Sequence, residues 1–390
     1  MENKELETKV LFSGKGKEYF GIWIVNILLS VITFGIYSAW AKVRNKRYFY
    51  GHTSIAGDSF EYHGQPMQIL KGRIIAVVCV VIWFVSEQVS PLLSLGLIVA
   101  FVLLLPLLSR SNARFDSAMT SFRNVHFSFN GTIAGAYWAI LGRGTLATLG
   151  FVAAIGVVVF AMKLNIVAGV LATLVLLPAY VCLQAWSLVG IANYFSNGYR
   201  YGERQFKADY KNAFYFKTYI IATLIWLALM ALVLVSFVAI VGVNLVSNLE
   251  SFTEIMSHSD IATFMIGYYL VFIAIGLAIG AYLKVKVRNY TFSRLVLEGK
   301  DSEAASEFSF ASTLTVKGYV SVVVTNFLLQ VVTIGLARPW VMVRTTNYLA
   351  NNTFVYGDIE LLVASDQDSN VKSAVADEVA QAFDVDLGIG

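Results

Sequence analysis

Two arginines recur with the same neighbours. Arg44 lies four residues after Trp40 and four before Tyr48, and Arg344 stands in the same way between Trp340 and Tyr348. Arginine offers a planar fork of donors that fits carboxylate or phosphate, so the pair could hold an anionic solute or a lipid headgroup. The same trio also serves as an anchor, with Trp and Tyr at headgroup depth and the guanidinium reaching out to phosphate. Asn26 and Asn326 lie upstream inside apolar stretches. An amide there costs free energy until it finds a hydrogen-bond partner. Bonding across helices is expected, the two amides to each other near a pseudo-twofold axis, with helix packing weighed above a path-lining role.

Other side chains offer less. Cys79 and Cys182 sit in separate apolar runs, which points to two buried thiols rather than a disulfide or a metal cluster. The four histidines, His52, His63, His126 and His258, lack metal-ligand spacing. Ser13-Gly-Lys-Gly-Lys17 lacks the spacing of a phosphate loop. No catalytic set emerges, and no enzyme activity, cofactor or nucleic-acid partner is expected. Apart from Glu87 at an outer turn, the predicted spans hold no acidic relay of the kind proton-driven pumps place in the membrane.

The elements that carry these residues are duplicated. Residues 26–48 align without gaps to 326–348, with Asn, Leu, Leu, Val, Thr, Gly, Trp, Val, Arg and Tyr identical at 26, 28, 29, 31, 33, 35, 40, 43, 44 and 48 and again at an offset of 300. Each copy begins in an apolar run, 19–33 or 319–333, that ends at Thr33-Phe-Gly35 or Thr333-Ile-Gly335. Fifteen helical residues reach about 22 Å, short of a hydrocarbon core of about 30 Å. Gly335 suits a helix C-terminus and Pro339 the first turn of a new helix. Two broken, re-entrant elements are therefore expected. Broken helices in corresponding positions mark substrate paths in many transporters, which makes Asn26, Thr33, Gly35, Trp40, Arg44, Tyr48, Asn326, Thr333, Gly335, Trp340, Arg344 and Tyr348 the candidate solute or headgroup contacts.

The whole chain is built for lipid. Of 390 residues, 57% are hydrophobic and 14% charged, the mean hydropathy is +0.67 and the net charge +4; a soluble domain carries roughly 25% charged residues. Six runs suit complete spans, 74–89, 92–108, 144–162, 166–191, 219–243 and 261–283, and pair into three helical hairpins. If both broken elements return to the side they came from, all 29 Lys and Arg except Lys163 fall on one side. The positive-inside rule makes that side cytoplasmic and places both termini there.

Between the hairpins an Asn-bearing helix end is followed by period-two aromatics: Asn45 by Phe60 and Tyr62, Asn112 by Phe127 and Phe129, Asn289 by Phe308 and Phe310, with a looser copy from Asn193 to Phe206 and a strand-like Phe12-Ser-Gly14. These read as short cytoplasmic strands, paired into a small sheet. The expected fold is an all-α polytopic bundle of six spans and two broken elements, with short strands between units. Its parts are residues 1–66 (strand and first broken element), 67–306 (three hairpins), 307–362 (second broken element) and 363–390, an acidic tail whose apolar residues recur at helical spacing.

Thr33-Phe-Gly-Ile-Tyr-Ser-Ala-Trp-Ala-Lys-Val-Arg44, its copy through Arg344, and the ending Ala376-Asp-Glu-Val-Ala-Gln-Ala-Phe-Asp-Val-Asp386 give the chain its family likeness. It resembles the YjgN-like inner-membrane proteins of bacteria over nearly its whole length. The resemblance implies a bacterial inner-membrane location and this architecture, and brings no activity or catalytic residues. Met342 and Thr345 replace Lys42 and Asn45 in the second copy, so roles resting on those two side chains are not duplicated. The leading functional expectation is a permease or channel-like protein for a small solute, anionic if the arginines line its path. The alternative is a non-transporting protein that organises lipid or a protein complex. Membrane lipids are partners in either case.

Overall fold

The computed structural model describes residues 7–247, 258–298 and 307–362. Strands and helices follow one repeating order: a strand, a pair of helices that leaves and returns, and a second strand. The first unit is β1 (Glu7–Phe12), α1 (Gly16–Ile32), α2 (Ser38–Gly51) and β2 (Thr53–Ile55). The second is β3 (Asp58–Tyr62), α3 (Pro66–Val89), α4 (Pro91–Ala118) and β4 (Thr120–Phe122). The third is β5 (Val125–Phe129), then α5 (Ile133–Ala136), a π-helical turn (Tyr137–Gly142) and α6 (Arg143–Leu164) in one continuous rod, then α7 (Ile166–Gly198) and β6 (Tyr199–Tyr201). The fourth is β7 (Arg204–Ala208), α8 (Asn212–Ser247), α9 (His258–Ser293) and β8 (Leu295–Glu298), and the fifth β9 (Phe308–Ser312), α10 (Val316–Val332), α11 (Arg338–Asn351) and β10 (Thr353–Tyr356).

The middle three units supply six helices long and apolar enough to cross a bilayer, as the hydropathy runs predict. Most of their apolar side chains face outward, Val80, Leu92, Val152 and Val175 among them. In a medium as apolar as they are, exposure carries no penalty. Cys79 is exposed on such a face and Cys182 half-buried, so the expectation of two buried thiols fails for the first. The acidic tail and Glu250 and Glu254 lie outside the described residues.

The mostly helical reading holds, but the strands form more than the small sheet expected between units. Each pairs antiparallel with its sequence neighbours, and the ring closes through β1, whose Glu7–Lys9 stretch pairs with β10 and whose Val10–Phe12 stretch pairs with β2. The result is a closed ten-stranded up-and-down barrel. Closure leaves no unpaired strand edge. Because each unit ends beside the strand it started from, all five helix pairs leave from one end of the barrel. Tight turns occupy the other end: Ala56-Gly57 and Arg123-Asn124 have positive φ at both positions, as a two-residue hairpin turn of the I′ type requires.

The period-two aromatics explain what fills the barrel. Phe12, Phe60, Phe122, Phe127, Tyr201, Phe206, Phe308 and Phe310 pack with Val10, Leu297 and Val355 into one core. In two of the pairs the second aromatic, Tyr62 or Phe129, instead sits where the helices meet the barrel, among Ala39, Val43 and Ile69 or Ala113 and Phe195. Tyr201 donates to the Phe122 carbonyl at 2.9 Å, and burial pushes its hydroxyl up to about 12 against the pull of Arg123 and Arg204, so it stays a neutral donor. Both ends are covered. Tyr19, Ile22 and Trp23 of α1 with Met342 and Val343 of α11 close the helical end, while Ile359 and Leu362 pack in after β10. Arg123 holds this last segment, donating to the Ile359 carbonyl at 2.5 Å while pairing with Asp58 at 2.5 Å.

Two Asn residues of the weak repeat, Asn289 and Asn193, stitch neighbouring units together. Asn289, on the returning α9, accepts from the Leu314 N–H at 3.2 Å and from the Ser312 hydroxyl at 2.8 Å, and donates to the Leu314 carbonyl at 2.8 Å. Asn193 on α7 accepts from the Tyr210 N–H at 3.1 Å. In both cases the amide satisfies backbone at the junction where the next unit's strand gives way to its helix. Asn289→Ala should therefore cost about 1–3 kcal/mol, the range for stranding buried polar groups. Thermal unfolding in detergent checks this; a shift no larger than that of an exposed surface alanine would show that the bonds carry nothing.

Candidate functional site

Each short hairpin is held by the same local chemistry. At the end of α1 the Gly35 N–H reaches the Ser30 carbonyl at 2.7 Å and the Phe34 N–H reaches Val31 at 3.1 Å, a Schellman stop with φ of +50° at Phe34 and +90° at Gly35. Ile334 (+50°) and Gly335 (+82°) repeat it. Positive φ is strained for Phe and more so for Ile, and the still larger positive φ at positions 35 and 335 is one that glycine adopts freely. Thr33 supplies the other half of the bend. Its hydroxyl donates to Leu29 O at 2.7 Å and accepts from the Tyr37 N–H at 2.9 Å; Thr333 does the same with Leu329 and Ala337. The Thr-x-Gly motif is thus a hinge that turns a helix back on itself. Since Phe12 pairs with Thr53 through β1 and β2, and Ser312 with Thr353 through β9 and β10, each element returns to the barrel rim it left.

The two asparagines do not meet. Asn26 donates to Asn45 at 3.1 Å and Asn326 to Thr345 at 3.0 Å, so each amide ties together the two helices of its own hairpin, and the predicted bond between copies is replaced by two internal ones. The arginines join the same clusters. Arg44 Nη1 donates to Asn26 Oδ1 at 3.4 Å and to the Tyr37 hydroxyl at 3.3 Å, and Arg344 Nη1 to Asn326 Oδ1 at 3.4 Å. Both guanidinium-bearing residues remain exposed. Tyr48 is buried with its hydroxyl on the Lys15 backbone, accepting from N–H at 2.8 Å and donating to C=O at 3.0 Å; Tyr348 likewise sits beneath the start of α10, against Gly318. The tyrosines are therefore packing residues rather than contacts open to a ligand. Trp40 stacks on Tyr37 and Trp340 meets Phe20 at a tilt, with ring centroids 6.1 and 5.0 Å apart.

That last contact decides the geometry between the copies. Trp340 of α11 lies across α1, filling the space a Cβ on Gly16 would take, and the first element packs directly on the second. The site residues group into two clusters, one per hairpin.

Each hairpin ends in an exposed apolar tip: Phe34 is 98% exposed and Ile334 93%, flanked by Val31, Ile32, Val331 and Val332. Phe34 stands eight residues beyond Asn26 and four from Ser38, where Arg73 of α3 donates to the serine hydroxyl. At 1.5 Å per residue the tips reach about 6 to 12 Å past the guanidinium groups. Half of a hydrocarbon core is about 15 Å, more than that reach.

Sequence reasoning missed Arg143. It follows the π-helical turn, and its guanidinium lies over the Trp186 ring at 4.7 Å with Nη1 donating to the Trp186 carbonyl at 3.1 Å. A cation ten residues into the apolar rod Ile133–Leu164, which otherwise carries only Lys163 at its far end, was the available signal.

A polytopic membrane protein is thus defined, mostly helical, with six helices long and apolar enough to span and two short helical hairpins standing on a filled barrel. The chain belongs to a family of bacterial proteins of unknown function, DUF898, whose model matches residues 7–382. Inner membrane protein YjgN of Salmonella typhimurium (strain LT2) is 25% identical to it over 94% of this chain and 92% of its own length. Proteins of the same name from Escherichia coli O157:H7 and Escherichia coli strain K12 are each 27% identical over 90% of this chain and 89% of theirs. No solved structure matches. The inner-membrane location expected from the resemblance stands with these relatives.

Proposed function

We propose that the protein organises lipid in the leaflet beside its barrel and does not conduct solute. One observation carries this: the only closed lumen among the described residues is packed with aromatic side chains and covered at both ends, while the helices of the two hairpins with apolar tips are too short to cross a bilayer. A permeation path needs polar groups lining a continuous way through. The space between the broken elements, where such a path was anticipated, is taken by Trp340 and Phe20. The hairpins instead resemble wedges, apolar at the tip and basic where the headgroups begin. The positive-inside rule favours a cytoplasmic barrel and cytoplasmic termini. In this reading the protein has no catalytic role, and its partners are membrane lipids.

The test is reconstitution of the full chain in phosphatidylethanolamine/phosphatidylglycerol vesicles. Spin-labelled lipid should show an immobilised fraction that falls by about half in the Arg44→Ala/Arg344→Ala variant, and entrapped small anions should leak no faster than from empty vesicles. Anion flux above the empty-vesicle rate that the double variant abolishes would overturn the proposal in favour of a permease.

A further inference from the structure

We infer that Arg143, Trp186 and Gly190 form a preformed site for the phosphodiester of one phospholipid. The inference rests on the lipid reading above and deepens it, since it concerns a different unit and different residues from the two hairpins.

Depth comes first. From Arg143 to Lys163, the two cations of α6, the helix advances twenty residues, about 30 Å, which is the thickness of a hydrocarbon core. Everything between them is apolar or small. The pair therefore stands at the two headgroup levels, and Arg143 marks the one nearer the barrel. Trp138 and Trp186, 6.4 Å apart and edge to face, lie beside it, as aromatic side chains do at that depth.

The site itself is built, with the guanidinium held in place before any ligand arrives. The Trp186 ring supports it from below, and one Nη donates to the Trp186 carbonyl. Gly190 gives it room: a Cβ there would come within 2.4 Å of Arg143 Cδ and 2.5 Å of Nη1. Yet the arrangement leaves the group incomplete. Nε is buried without a hydrogen-bond partner, and no carboxylate among the described residues meets the side chain. An arginine fixed this way at a membrane boundary lacks a counter-charge, and a guanidinium fork matches a tetrahedral phosphate through two parallel bonds. The ligand chemistry is a singly charged phosphodiester, which a phosphatidylglycerol headgroup supplies and a neutral diacylglycerol does not. Free phosphate offers similar oxygens, so the experiment separates the two sources.

Native mass spectrometry of the full chain, released from detergent after incubation with phosphatidylglycerol or with diacylglycerol of the same acyl chains, reads the site directly. One retained phosphatidylglycerol is expected for the natural chain, with at least a fivefold loss of occupancy in Arg143→Gln. Gly190→Ala should lose it too while keeping the charge, so the result stands even if Arg143→Gln unfolds. Arg44→Ala/Arg344→Ala should retain that molecule. Equal retention by the natural chain, Arg143→Gln and Gly190→Ala would overturn this site and leave the lipid reading intact. Retention of diacylglycerol as readily as phosphatidylglycerol would overturn the phosphodiester assignment. If inorganic phosphate alone displaces the lipid at millimolar concentration, the lipid assignment falls.

Discussion

Replacing Phe34 and Ile334 together by aspartate should cost about 4 kcal/mol of hairpin insertion. An apolar side chain gains a few tenths of a kcal/mol in lipid and an aspartate loses about 2 at intermediate depth, and the penalty is paid at both tips. Both residues are almost fully exposed and touch little of the protein, so loss of packing contributes almost nothing. The measurement is collisional accessibility of a nitroxide placed at position 32 or 332. In the natural chain the label should collide with oxygen far more than with a water-soluble nickel complex, at a depth within the near leaflet. In the double aspartate variant the preference should reverse. A label at position 32 of the natural chain that already prefers the nickel complex would mean that the tips lie in water, and the wedge reading would fail with them. A label reporting the far headgroup region would instead restore two complete crossings.

Much of this was legible in the chain. Hydropathy alone locates the six spans, because a twenty-residue apolar run has few soluble alternatives. The hinge was legible for a different reason: Thr33 and Gly35 are needed together, one to bridge two helix ends and one to follow a residue at positive φ, and the copy at 333 and 335 repeats both. The barrel was half legible. Its first strands carry aromatics at every second position, but the returning strands are only three or four residues long, as in Thr53–Ile55, Thr120–Phe122 and Tyr199–Tyr201, and follow directly on helices. So short a segment has no periodicity to read, and without the returning strands the first ones look like a loose sheet rather than a ring. The partner of Asn26 was misjudged for a related reason. Sequence symmetry suggested the equivalent residue across an axis, whereas the hinge folds position 45 back against it and the bond is made locally. Arg143 was passed over because the span was taken to start just after it, which left it outside the continuous rod that runs back to Ile133.

The barrel core supplies the other large effect. Phe308 is 2% exposed at the centre of the aromatic cluster, where its truncation leaves a cavity that ten hydrogen-bonded strands cannot collapse to fill. Phe308→Ala should lower stability by about 3–5 kcal/mol, through lost transfer free energy and the cavity that remains. A water-filled passage predicts otherwise. A phenylalanine facing solvent in a pore already pays for its exposure, and removing it would change stability by less than about 1 kcal/mol while widening the way through. Unfolding followed by tryptophan fluorescence in detergent therefore discriminates between the two, provided vesicle leakage is measured on the same variant. A large loss of stability with unchanged leakage identifies the ring as a solid base on which five helix pairs stand. A small loss with faster leakage would make the barrel a conduit, and the case against solute passage would collapse at the point on which it rests.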